Sequence, residues 1–229
     1  MVPGSRLILL GKQGAGKGTQ CTRLSRHYVV PHISTGDMFR AALKSRSELG
    51  SRVKQYLDGG ELIPYEIVME AVVERLDQDD TKARGFVLDG FPRTVHQAEA
   101  LADILDPVPV DLVIDLAVPT QVVLKRLMAR RVCSDCGANY STDVPPKFDW
   151  TCDNCGGEVI QRDDDTRAAI QRRLDLYERR TAPLIAWYQE RDRLVKVSGM
   201  GHPDKVTDRL VEVIDKRRAA GGHHGAYLR

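Results

Sequence analysis

Nine residues, Gly11-Lys12-Gln13-Gly14-Ala15-Gly16-Lys17-Gly18-Thr19, limit what this chain can fold into more than any others. They follow the apolar run Leu7-Ile8-Leu9-Leu10 and open onto Gln20-Cys21-Thr22-Arg23-Leu24, which reads as helix. The spacing is G-x-x-x-x-G-K with Gly18 placed before the hydroxyl of Thr19. Glycines here let the backbone wrap closely and turn its N–H groups inward, which suits a polyphosphate. Lys17 adds a mobile charge for the outer phosphates, and Thr19 can orient magnesium. A merely glycine-rich turn would not need a buried strand before it and a helix after it. The expectation is a nucleotide phosphate site made by Gly14, Ala15, Gly16, Lys17, Gly18 and Thr19.

At 229 residues the chain has room for one α/β domain with insertions, or for two small domains. A hydrophobic share of 42% and a charged share of 29% are those of an ordinary soluble protein. The formal charge of +2 argues against a whole-protein polyanion binder. The N-terminal apolar run is too short for a signal peptide or a membrane span. The corresponding expectations are a cytoplasmic monomer with no membrane or nucleic-acid partner.

In chain order, Arg6–Leu10 reads as a buried strand and 17–27 as the first helix. Ser34, with Asp37 three residues on, resembles a capping box opening a helix through Leu43. Helices over 47–58 and 65–77 flank Gly59-Gly60-Glu61-Leu62-Ile63-Pro64, and these pieces read as a helical insertion. Phe86-Val87-Leu88 is a strand with Asp89 at its carboxyl end, the edge where open α/β sheets bind ligands. An Asp there is the expected handle on magnesium, and Arg93, after the turn-fixing Pro92, suits a phosphate clamp. A helix over 95–105, a strand over 111–116 and a helix over 119–131 follow. A long helix beyond Thr166 runs to about residue 188, then a strand over 193–197 and a helix over 204–219. On one continuous helix Arg162 and Arg173 would lie about 16 Å apart, so Arg162 must fold back from the loop side to share a phosphate. The tail 220–229, with its two histidines, reads as frayed and receives no function.

Cys133-Ser134-Asp135-Cys136 and Cys152-Asp153-Asn154-Cys155 are two C-x-x-C knuckles separated by fifteen residues rich in turn formers. That spacing matches a four-thiolate zinc ribbon, and paired disulfides would need an oxidising compartment. The fifth cysteine, Cys21, reads as a core thiol.

Taken together, the phosphate loop, Ser34-Thr35-Gly36-Asp37-Met38-Phe39-Arg40, Asp89-Gly90-Phe91-Pro92-Arg93-Thr94 with Gln97, and the arginines after the second knuckle resemble the adenylate kinases, in their long bacterial form with a zinc-bearing lid. The resemblance extends to about residue 217. It implies a P-loop kinase fold, α/β, with a five-stranded parallel sheet flanked by helices. It implies a core of 1–33, 65–130 and 169–229, an AMP-binding insertion over 34–64, and a zinc-ribbon lid over 131–168. AMP would be held by Thr35, Arg40, Glu61, Leu62, Ile63, Gly90, Phe91, Pro92, Arg93 and Gln97, with Arg162 and Arg173. ATP would be held by Gly14 to Thr19, Arg126, Arg130, Asn139, Tyr140 and Gly201. Lys17, Arg93, Arg130, Arg162 and Arg173 would clamp the transferring phosphoryl group. Asp89 would position magnesium, Asp164 and Asp165 would act in lid closure, and Cys133, Cys136, Cys152 and Cys155 would hold structural zinc. The implied activity is reversible transfer from MgATP to AMP, giving two ADP and maintaining adenine nucleotide balance.

Two positions depart from that pattern. Lys12-Gln13 add a charge beside the triphosphate, and Lys12 is expected to point to solvent. Tyr65 stands where an acid usually follows Pro64, read as a helix-start change. Three rivals can be weighed at this stage, and only the first survives. A kinase of similar fold with another base is the nearest. A zinc-ribbon nucleic-acid-binding ATPase would need a basic ribbon, whereas Asp135, Asp143, Asp149 and Asp153 outnumber Lys147 here. A binding module without turnover would not need so many arginines at one phosphate site.

Overall fold

The computed structural model describes residues 5–162 and 165–220. The chain begins with β1 (Ser5–Leu10), α1 (Lys17–Tyr28), β2 (His32–Ser34), α2 (Thr35–Lys44) and α3 (Glu48–Gly59). It continues through α4 (Tyr65–Leu76), α5 (Asp79–Arg84), β3 (Gly85–Asp89), α6 (Val95–Leu105), β4 (Leu112–Ala117) and α7 (Thr120–Ala129). A small ribbon follows, of β5 (Arg130–Cys133), β6 (Asn139–Ser141) and β7 (Val159–Ile160). Then come α8 (Arg167–Leu176), a π turn (Tyr177–Thr181), α9 (Pro183–Gln189), β8 (Leu194–Ser198) and α10 (Pro203–Ala220).

Five parallel strands form the main sheet in the order β2-β3-β1-β4-β8. Successive side chains of a strand point to opposite faces, so β1 feeds two cores. Ile8 and Leu10 join Phe86, Leu88 and Val113 under α4, α6 and α9, while Leu7 and Leu9 join Val87, Leu112 and Ile114 under α1, α7 and α10. The four apolar side chains Leu7 to Leu10 of β1 are essentially buried, each stabilising the fold by about 1.5–3 kcal/mol. A strand covered on both faces must read as a continuous apolar run, as Leu7–Leu10 does. The chain leaves β1 for one edge, returns to β3, then crosses to β4 and β8 on the other side. The loop after β1 therefore lies at the switch point of the sheet, where ligands bind beyond the carboxyl ends. Register places Leu9, Asp89 and Ser34 in one row at that edge.

Helix starts follow local chemistry. The hydroxyls of Ser34, Thr94 and Thr166 accept from the N–H groups of Asp37, Gln97 and Ala169, each cap contributing about 1 kcal/mol. Three boundaries differ from the sequence expectation. The helix expected to reach Arg131 stops at Ala129, because Arg130 and Arg131 pair with Ser141 and Tyr140 in the antiparallel ribbon β6-β5-β7. Cross-strand bonding there takes the groups that a further helical turn would use. The long helix to residue 188 is interrupted: Pro183 has no N–H to donate, and Ala182 instead bonds five residues back to the Tyr177 carbonyl at 2.8 Å. The short helix α5 carried no periodic signal. Asp163, Asp164 and the tail from residue 221 lie outside the described residues. Among the described residues, no helix is long and apolar enough to cross a membrane.

Candidate active site

A cleft of about 370 Å³ opens along the carboxyl edge of the sheet. Its floor is the glycine-rich loop. Gly11 and Gly14 take φ of 138° and 82°, and a Cβ at either would come within 2.8 Å of Leu116 O or Leu127 Cγ. Left-handed backbone and this crowding together require glycine. Gly16 caps α1 without a side-chain bond, and no acid stands in its first turn. The helix N-terminus is thus left for an anion, where free N–H groups and the helix dipole act together. Lys17 lies over the loop, donating to the carbonyls of Gly11 (2.7 Å) and Lys12 (3.0 Å). Burial lowers its pKa from the ordinary value, against the pull of Asp89.

Asp89 faces the loop from β3: a Cβ on Gly18 would sit 3.4 Å from its Oδ2. Burial raises its pKa, but His32 and Lys17 outweigh burial and hold it below the usual carboxylate range. The carboxylate therefore stays ionised near neutrality. Together with the Thr19 hydroxyl, also on the cleft wall, it offers hard oxygen donors beside the phosphate position, a fit for magnesium.

Among the described residues, seven cationic side chains line the cleft: Lys17, Arg40, Arg93, Arg126, Arg130, Arg162 and Arg173. They converge from five separated stretches of chain. Arg93 follows the cis Phe91–Pro92 bond, and its Nε donates to Gly90 O at 2.7 Å. The Arg93 carbonyl accepts from Thr181 of the π turn at 3.0 Å, and its N–H donates to Gln97 Oε1 at 2.7 Å. That second bond fixes the side-chain amide of Gln97, which lines the cleft. Arg126 is held by Ala15 O and Gly199 O. Arg130 chelates the fully buried carboxylate of Asp165, with Nε–Oδ2 at 2.7 Å, and Arg173 stands 3.7 Å from the same group. Asp165 thus presents two guanidinium groups to the cleft without lining it.

The adjoining wall comprises Thr35, Arg40, Gly60, Glu61, Leu62, Ile63, Gly90, Pro92 and Gln97, with Leu57 and Val68. Asn139 and Tyr140 of the ribbon reach in from the other side. The fold therefore collects nearly every residue expected from sequence. Ala15 and Phe91 are buried behind the wall, and Gly201 stands outside the lining, against Arg209. Asp164 lies outside the described residues. Missing from the sequence expectation were Tyr177 and Thr181, which reach the cleft from the π turn; Pro183 in a helical stretch was the signal available. Lys12 corrects an expectation, for it does not point to solvent. Its Nζ lies 2.6 Å from Thr120 Oγ1 and 2.8 Å from Glu178 Oε1, since α7 and the π turn both border the loop.

The ribbon carries a second site. The four knuckle sulfurs lie within 4.8 Å of one another, with Cys133–Cys155 and Cys136–Cys152 at 3.5 Å. A disulfide needs about 2.05 Å, whereas zinc–sulfur bonds of about 2.3 Å in a tetrahedron put sulfurs about 3.8 Å apart. Backbone N–H groups of Asp135 and Asn154 point at Cys133 and Cys152 sulfurs at 3.4 Å. The Tyr140 hydroxyl holds the Cys152 thiol down to about 6. The ribbon's apolar cluster is small: Cys133, Cys152 and Val159, with Ala138 and Tyr140 against them. These donors fit a structural zinc ion, and so little core calls for one.

A P-loop, an arginine cluster and a second wall facing them on one parallel sheet define a nucleotide phosphotransferase. The adenylate kinase family model matches residues 9–193. The chain is 46% identical over 215 residues to an adenylate kinase of Thermodesulfovibrio yellowstonii, covering 93% of this chain and 100% of that protein. It is 45% identical to an adenylate kinase of Acetivibrio thermocellus (91% and 97% covered) and 46% to one of Methanosarcina mazei (92% and 98%). The chain belongs to the adenylate kinase family, an enzyme family that converts ATP and AMP to two ADP.

Proposed function

We propose that ATP lies with its phosphates on Gly14–Thr19, between Arg126, Arg130 and the ribbon residues Asn139 and Tyr140. AMP lies against Thr35, Arg40, the Glu61–Ile63 backbone, Gly90–Arg93 and Gln97. The observation that carries this reading is the placement of Lys17, Arg93, Arg130, Arg162 and Arg173 around one cleft between those walls. Phosphoryl transfer asks little covalent chemistry of a protein, so positioning and charge neutralisation carry the rate. The arginines neutralise the transferring group, and Lys17 follows the outer phosphates. Magnesium carried by ATP would be held by Thr19 and, through water, by Asp89, spreading the charge of the β- and γ-phosphates.

Residues 34–64 act as the AMP-binding insertion and 131–168 as the lid, with one structural zinc ion on Cys133, Cys136, Cys152 and Cys155. Lys44 of α2 reaches Asp135 of the first knuckle at 3.1 Å, a contact that supports closure of the two over the cleft. Closure excludes the water that would otherwise hydrolyse ATP. Asp165, with Asp164, couples that closure to the arginines. The enzyme works as a monomer, since one chain supplies the whole cleft, and in the cytoplasm, where the ribbon thiols stay reduced. It does not act on nucleic acid or membranes. A coupled assay of ATP with AMP, UMP, CMP and GMP tests the reading. AMP is the preferred acceptor; comparable rates with UMP or CMP would reassign the second wall to pyrimidines.

A further inference from the structure

One group of ligand atoms plays no part in phosphoryl transfer as a set. Cys21 of α1, His32 of β2 and Asp89 of β3 each offer one such atom, and the three lie within 4.8 Å of one another. Backbone pairing brings two of them together: Ser34 aligns with Asp89, so His32 stands two residues back on the neighbouring strand, on the same face of the sheet. Cys21 belongs to the helix packed over that sheet and is fully buried.

The histidine offers a ligand atom that no hydrogen bond takes up among the described residues. Its Nε2 is buried, and Asp89 Oδ2, whose carboxylate it helps to keep ionised, stands 3.8 Å away, a charge contact beyond hydrogen-bond reach. A buried ring nitrogen left so is costly, and such groups in a folded protein call for an explanation. One sulfur, one nitrogen and one oxygen form a donor set suited to zinc and its chemical neighbours, and unsuited to magnesium, which takes oxygen. Zinc needs its donors about 3.3–3.8 Å apart, so side-chain movements of about an ångström close the site. Asp89 lines the cleft, which provides the way in.

We propose that Cys21, His32 and Asp89 form a second, weaker site for a borderline-soft divalent cation of the zinc class, and that its occupation stops turnover by withdrawing Asp89 from the cleft. The metal–sulfur bond forms as the Cys21 thiol releases its proton to water, with no change of oxidation state. Two features make the site weaker than the four-thiolate ribbon. It has a single thiol, and the Lys17 ammonium lies close enough to Asp89 and Cys21 to oppose an added cation. The inhibition, though not the metal site, rests on the role given above to Asp89.

The test compares wild-type enzyme with Cys21→Ala and His32→Gln, each with its ribbon zinc in place and its fold checked by circular dichroism. Equilibrium dialysis against buffered free zinc, followed by metal analysis, counts the ions held. Wild type takes up a second equivalent that both variants lose. Cys21→Ala keeps basal turnover, because Cys21 does not line the cleft. At a free zinc level that lowers wild-type turnover about tenfold, this variant is spared, and a chelator restores the wild type. Equal uptake of the second zinc by wild type and a folded variant overturns the site. A second zinc bound at these residues with turnover unchanged supports the site and overturns the role assigned to Asp89.

Discussion

Asp165→Asn tests how the arginine cluster is held before nucleotide arrives. The substitution keeps the shape of the side chain and removes its charge. The native carboxylate has no exposed surface, while the side chains of Arg130 and Arg173 are 16% and 13% exposed. Removing one partner from such a set leaves buried charge uncompensated, at a cost of about 3–5 kcal/mol. Because both arginines border an open cleft, the low end applies, about 3 kcal/mol. For a chain of this size that lowers the melting temperature by about 6–12 °C. Nucleotide should reverse much of the loss, since bound polyphosphate supplies the missing negative charge and stabilises the state it binds. The two tryptophans give a direct reading, for Trp150 lies in the ribbon segment and Trp187 in α9. In a Trp150→Phe background, Trp187 fluorescence reports melting of the core with and without a linear diadenosine polyphosphate. The variant melts lower when free and shows the larger ligand-induced rise. An unliganded melting point within about 2 °C of the parent, or an equal ligand-induced rise, would refute the argument.

Other substitutions separate charge placement from folding. Lys17→Met and Arg93→Ala each lower turnover by about a hundredfold or more with the fold intact by circular dichroism; near-normal rates in either would remove that residue from the phosphate site. Metal analysis gives one zinc per chain in the ribbon, and Cys152→Ser lowers thermal stability while turnover at moderate temperature persists, because Arg130, Arg162 and Arg173 lie outside the knuckles. Complete and immediate loss of turnover in zinc-free, still folded enzyme would contradict a structural role. Lys12→Met changes the KM for ATP by less than about fivefold, the most that an exposed pairing of up to 1 kcal/mol can shift; a larger change would place Lys12 on the triphosphate.

Local chemistry made much of this protein legible in its sequence. The apolar run before Gly11, the cap hydroxyls of Ser34 and Thr166 and the paired knuckles each act within a few residues, so each is readable from a short stretch. The phosphate loop carries its own backbone requirement in its glycines. Resemblance to a family then supplied the long-range associations, such as Arg93 with Arg173, which no local pattern contains. Tertiary structure decided the rest. Whether Arg130 ends a helix or begins a strand depended on Ser141 across the ribbon. The course of Lys12 depended on Thr120 and Glu178, more than a hundred residues away. The wall formed by Tyr177 and Thr181 needed the turn before Pro183 to face the sheet edge. The meeting of Cys21, His32 and Asp89 came from packing one helix over two neighbouring strands. These are contacts between distant segments, selected by burial and register across the whole sheet, and a side chain's neighbours exist only once that sheet has formed.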